Sequence, residues 1–185
     1  MEISFEKDLI EHCSPTLAGL KTGSLFSCPS ASPDEMRRVL RDLNIRLAPK
    51  GIRVLPVKND GERMLIYIYR PGRLARDLGD DDAAQILCEK GYPCGCPGKC
   101  IMKLIERLRG NEFPHEIGLF LSYPPEDVKG FIENRAANYK LSGLWKVYGD
   151  EKKAKELFAK YKKCTDIYCE RYEAGCGIAE LAVAV

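Results

Sequence analysis

The chain has only two histidines, His12 and His115. A zinc site built on two imidazoles would need both. The metalloprotease pattern HExxH is excluded, because no second histidine follows His115-Glu116. Long apolar runs are missing as well: no stretch approaches the ~20 apolar residues of a membrane span, and the tail IAELAVAV is too short to serve as one. Nor does one sign of charge dominate. The 29 basic and 27 acidic residues leave a net charge of +2 and are interspersed, so there is no footprint for nucleic acid or an anionic lipid surface. The first twelve residues, MEISFEKDLIEH, carry four acidic side chains, the wrong composition for a secretory or mitochondrial presequence. A cytoplasmic protein is the expectation. With neither internal repeats nor a low-complexity linker, 185 residues predict a single domain over 1–185 around one core.

Helix and strand signals interleave along the chain. Ser32-Pro33-Asp34-Glu35 has the form of a capping box with proline at the first helical position, and Met36, Val39, Leu40, Leu43 and Leu47 follow at helical spacing. IRVLPV and MLIYIY flank Asn59-Asp60-Gly61, which predicts an antiparallel hairpin over about 52–70 with Pro56 on an edge strand or at a bulge. Asp80 to Asp82 open a helix running to about Lys90, and Ile101, Leu104, Ile105 and Leu108 mark another. EIGLFLS reads as a buried strand, Pro124-Pro125-Glu126-Asp127 as a helix start, and GLWKVY as a strand. Gly149-Asp150 leads into a helix with Ala154, Leu157, Phe158 and Tyr161 on one face, and a further helix follows to about Ala174. Without the regular strand-helix rhythm of a doubly wound sheet, the class is α+β, a mixed sheet with the hairpin and amphipathic helices packed on it.

Cysteine is abundant, at nine residues, and four of them crowd CEKGYPCGCPGKC as Cys88, Cys94, Cys96 and Cys100. In a cytoplasmic chain most would be thiols, and an odd count cannot pair completely within one chain. Gly95, Pro97 and Gly98 allow a tight path that could converge Cys94, Cys96 and Cys100 on one ion, with Cys88 reaching in from the preceding helix. Zinc or an iron-sulfur cluster is the cofactor this suggests, although the spacing matches neither the paired knuckles of structural zinc nor the familiar cluster runs. The plainer alternative is packing, with Cys88 on a core face beside Ala84 and Leu87. Cys100 stands where the next helix should begin, where open amides would favour a reactive thiolate. Cys164 and Cys169 lie five residues apart, so on a continuous helix they diverge.

Other candidates are scattered. His115 and Glu116 offer an imidazole and a carboxylate for acid-base chemistry, or a structural hydrogen-bond pair. PTLAGLKTGSLFSC fails the phosphate-loop pattern because its lysine follows Leu20, yet Gly19, Lys21, Thr22, Gly23 and Ser24 could cradle a small anion in a turn before a strand. Cys13 adjoins His12, but neighbouring side chains diverge, so a cysteine-histidine pair would draw on His115 instead. Lys146 and Tyr148 alternate with Trp145, so they project to the opposite face, where they could line a pocket.

HCSPTLAGLKTGSLFSC, FPHEIGLFLSYPPEDVKGFIEN and GLWKVYGDEKKAKELFAKYKKC together resemble a bacterial family of unknown function, number 3793, found mainly in anaerobic Firmicutes. The resemblance implies a cytoplasmic bacterial protein and leans towards redox or iron physiology. It leaves the cluster at 88–100 outside the shared pattern, so a site common to the family would draw on Cys13, Lys21, Ser24, His115, Glu116, Lys146 and Tyr148. Three functions follow as expectations. The first is an accessory protein of redox or iron metabolism that binds a small ligand, cofactor, metal or redox partner protein. The second is a small enzyme using His115 and Glu116 with a cysteine or lysine. The third is a protein-protein interaction module.

Overall fold

The computed structural model describes residues 2–30 and 32–184, with side chains from residue 5 onward. The fold is α+β, and the chain divides into two compact units, one formed by the residues up to Gly72 and from Tyr161 on, the other by Arg73–Lys160.

The first unit is built on the expected hairpin. Strands β2 (Arg53–Asn59) and β3 (Arg63–Tyr69) pair antiparallel across a turn in which Gly61 takes φ +97° and the Asp60 carboxylate accepts from the Glu62 and Arg63 amides. Strand β1 (Gly23–Pro29) pairs with the other side of β3, giving the order β1-β3-β2. The centre goes to β3 because Met64, Ile66, Tyr67 and Ile68 are all buried, whereas Pro56 confines β2 to an edge, with a register shift between Pro56 and Lys58. Helix α2 (Pro33–Leu47) starts as expected, with the Ser32 hydroxyl accepting from the Glu35 amide, and it buries Met36, Leu40, Leu43 and Leu47. From its inner side the Asn44 amide group bonds both the carbonyl and the N–H of Val54, so a helix side chain satisfies part of the open edge of β2. A short 3-10 turn follows at Ala48–Lys50.

Helix α1 (Glu2–Leu17) has no counterpart among the expectations. Phe5, Leu9, Ile10, Cys13 and Leu17 form its buried stripe, and Pro15 is accommodated in the last turn. Arg70 closes the unit. Its guanidinium is 2% exposed and donates to the carbonyls of Thr16, Leu17, Lys50 and Val183 at 2.8 to 3.1 Å, so a cation caps the negative end of α1.

Around Arg73–Lys160 the elements are mainly helical: the end of α3 (Pro71–Asp77), α4 (Asp81–Glu89), α5 (Pro97–Leu108), α6 (Ile117–Phe120) and α7 (Pro125–Glu133). Asp80 caps α4 through the Asp82 and Ala83 amides, and α5 buries Ile101, Leu104 and Leu108. EIGLFLS is a correction: it forms the short helix α6, with the Ile117, Gly118 and Leu119 amides bonded three residues back. A fully buried apolar run carries no period that separates strand from helix, and Gly118 is needed here because a Cβ would come within 2.7 Å of Val128. GLWKVY contributes only β5 (Lys146–Val147), paired with β4 (Leu141–Ser142). With these losses every strand pair among the described residues is antiparallel, rather than part of a mixed sheet.

The two helices expected after Gly149 are one, α8 (Glu151–Glu173). Its first ten residues belong to this unit and the rest to the other, where α9 (Ile178–Leu181) follows. No helix among the described residues is long and apolar enough to cross a membrane.

Candidate functional site

The segment joining α4 to α5 turns back on itself through Gly91 and Gly95, both at φ +75°, a conformation that a side chain resists. The path brings the Cα atoms of Cys88 and Cys94 to 6.4 Å, within the span of a disulfide, and their sulfurs are bonded. Both residues are exposed. Cys88 therefore does not lie on the core face where the sequence sets it. That face consists of Ala83, Ile86 and Leu87, and one residue further the helix has turned by about 100°.

Cys96 and Cys100 remain thiols, the first half-buried and the second buried. Helix α5 begins at Pro97, so Cys100 lies one turn inside it, with its amide already bonded to the Cys96 carbonyl. Its thiol donates to the Pro93 carbonyl at 3.2 Å. Burial, and secondarily Cys96, pushes this thiol above its ordinary pKa, the reverse of what an open helix start would do. The four sulfurs are thus in three different states. No group of three or more His, Cys, Asp or Glu among the described residues is placed to hold a metal ion. Instead Cys94, Cys96 and Cys100 line a groove of about 320 Å³ whose remaining walls are alanine, glycine, leucine and proline.

Tyr92, between the bonded cysteines, anchors the loop from below. Its hydroxyl donates to Glu116 Oε1 at 2.9 Å, and Arg107 Nε donates to the same oxygen at 2.6 Å. Burial, followed by the Glu116 charge, holds the Tyr92 phenol far above its ordinary pKa. Glu116 is buried at 2% exposure, while His115 is exposed, its ring 5.0 Å from that of Phe131 and 5.9 Å from that of Phe113. The expected acid-base pair is therefore divided between an internal ion pair and an aromatic surface.

Lys146 also lies against Phe131, with Nζ 5.9 Å from that ring and 4.6 Å from Tyr139, and it donates to the Ala136 carbonyl. The Tyr148 hydroxyl donates to the Ala137 carbonyl. Arg135, Ala136 and Asn138 all have positive φ, so Lys146 and Tyr148 serve to hold a loop in an unfavourable backbone conformation. Sequence reasoning missed the residue that organises this region. Asp127, 3% exposed, accepts from Trp145 Nε1 and from the Tyr148 and Gly149 amides at 2.7 to 2.8 Å. In the sequence it is only one of two acids at a helix start, and no spacing links it to Trp145.

Cys13, Lys21 and Ser24 belong to the other unit, at the corner between α1 and β1. Cys13, Ser14, Thr16, Thr22 and Ser24 are buried there, with the Thr16 and Ser24 hydroxyls 2.8 Å apart. The turn expected to cradle an anion is closed by its own backbone: the amides of Gly19, Leu20 and Lys21 bond the carbonyls of Thr16 and Pro15. Burial, offset in part by Cys13, lowers the half-buried Lys21 ammonium to about 8. Burial also pushes the Cys13 thiol far up, with Lys21 opposing.

The family model described as Protein of unknown function (DUF3793) matches residues 9–182. The chain belongs to that family. No curated protein and no solved structure matches it. The family match runs through the cysteine loop, the Asp127 cluster and the α1–β1 corner alike, so membership by itself selects none of them as the working site. Their chemistry does separate them. The corner is sealed and the Asp127 cluster is internally satisfied, whereas the cysteine loop presents an exposed disulfide beside a groove.

Proposed function

We propose that the protein is a cytoplasmic accessory protein of redox metabolism whose working group is the Cys88–Cys94 pair, cycling between disulfide and dithiol by exchange with a thiol partner. One observation carries this reading: an exposed disulfide on a short glycine-turned loop, with Cys94 on the wall of a groove. Exchange requires a thiolate to reach a disulfide sulfur, and access of this kind distinguishes a labile bond from a structural one sealed in a core. Cys100, buried and held protonated, supplies wall rather than nucleophile. The redox half of the expected role is favoured over the iron half because two of the four sulfurs are bonded to each other.

The test is a redox titration in glutathione and dithiothreitol buffers, read by mass after maleimide capping. Two thiols, mapped to Cys88 and Cys94, should appear together with a midpoint between about −180 and −300 mV, the span of thiol-exchange proteins. A pair that stays unbonded across the oxidising buffers, or resists dithiothreitol in the folded protein, would refute the proposal.

A further inference from the structure

We infer, resting on the thiol-exchange reading above, that the partner is a protein dithiol presenting its cysteine on an apolar segment, and that it attacks at Cys94. The groove fixes both parts. Cys94 is on its wall and Cys88 is not, so a thiolate seated in the groove meets the Cys94 sulfur. The walls beside it, including Ala75, Leu78, Ala84 and Leu87, carry no charge. Another groove of this unit is different, with Asp82, Glu89, Glu126, Glu133, Lys90 and Lys129 along it, so an uncharged lining is not shared by these two grooves. A small thiol bearing carboxylates finds no cation there to pair with and would lose hydration on entering. A cysteine flanked by aliphatic side chains covers the same walls at a gain.

The exchange balances. The partner thiolate attacks Cys94 Sγ, the bond to Cys88 breaks, and Cys88 leaves with the electron pair as a thiolate. The partner's second thiolate then attacks its own sulfur in the mixed disulfide and releases Cys94. The partner's two thiols are oxidised to a disulfide, Cys88–Cys94 is reduced to a dithiol, and the two protons of the partner pass through solvent to the two released thiolates.

The experiment compares three reductants at equal thiolate concentration on the full chain: a synthetic peptide dithiol with leucine and valine flanks, glutathione, and dithiothreitol, which has no charge besides its thiolate. The peptide should react at least about tenfold faster than glutathione, the worth of one buried aliphatic side chain. Ala75→Glu, at an exposed position on the groove wall, should slow the peptide severalfold more than it slows dithiothreitol, whose thiolate meets only the added charge. Ala84→Glu, at a half-buried position on the same wall, provides a second variant. In a Cys96→Ser background, a single-cysteine version of the peptide quenched with N-ethylmaleimide should map to Cys94, with the maleimide on Cys88; trypsin separates the two at Lys90. Glutathione matching the peptide, a wall charge that slows all reductants alike or none, or peptide found on Cys88 would each overturn the inference while leaving the exchange reading intact. Failure of dithiothreitol itself would instead overturn that reading, and this one with it.

Discussion

The α1–β1 corner and the α4–α5 loop both place a cysteine among glycines and prolines, and they treat it in opposite ways. At the corner, Cys13 is fully buried, the turn amides are bonded to the end of α1, and Arg70 ties that end to the 3-10 turn and the tail. In the loop, Gly91 and Gly95 turn the chain back so that Cys94 meets Cys88, which its position on α4 already leaves exposed. Backbone partners do not make the difference, since the Gly91 and Tyr92 amides bond the Cys88 and Leu87 carbonyls at the end of α4 much as the corner amides bond the end of α1. What differs is the cover: Arg70 and the Val183 backbone close over the end of α1, whereas Cys88 and Cys94 stay exposed. Thiol chemistry follows accessibility, so the abundance of cysteine says less than its surroundings.

The largest contrast should appear in labelling. Cys13 should react with iodoacetamide roughly a thousandfold or more slowly than Cys96, because it must wait for the fold to open. Comparable rates would break the comparison at its root. Next comes Arg70→Leu, which strips donors from buried carbonyls and should lower stability by about 3–5 kcal/mol in urea unfolding while leaving the midpoint potential of Cys88–Cys94 unchanged. A shifted potential would mean that the corner and the loop are not separate in function.

Reducing Cys88–Cys94 opens a loop of only six residues' separation, so the cost should be about 2 kcal/mol or less. A larger loss would mark the bond as structural.

The most gradual effects are in pH dependence. Lys21 has a depressed value of about 8 when folded, against 10.5 ordinarily, so between these the unfolded state holds the proton that the folded state has released. Relative to Lys21→Met, wild-type stability should therefore rise with pH across that window, by at most about 1.4 kcal/mol per unit. Cys13 has the opposite sign. Its folded value is raised, so above its ordinary value of 9.0 the folded state keeps a proton that the unfolded state loses, and wild type should weaken with pH relative to Cys13→Ala. Urea midpoints from pH 7 to 10.5 measure both slopes, and flat difference curves would show that the corner is open to water.

Wherever a signal is local, the sequence was a good guide. Ser32 and Pro33 located α2, Asn59-Asp60-Gly61 located the hairpin, and Pro56 located its edge strand and irregularity. It is a poor guide where a segment is buried all round, so that α6 reads as a strand, and it marks no helix over the residues of α1. Of the candidate site residues, the cysteine cluster was visible from its density alone. Its division into a bonded pair, a half-buried thiol and a buried thiol was not, since one helical position decides whether Cys88 faces core or solvent, and the true start of α5 decides whether Cys100 sits at open amides or beyond them.

What the sequence determined by itself are those features encoded within a few residues: caps, turns, the hairpin, the class of the fold and the crowding of thiols, because each depends on local backbone preference and spacing. Only the tertiary structure decided that Glu116 pairs with Arg107 and Tyr92 rather than with His115, that Asp127 gathers Trp145 and two amides, and that Cys94 faces a groove. These depend on which distant segments exclude water from a polar group, and burial of that kind is a property of the packed chain rather than of any stretch within it.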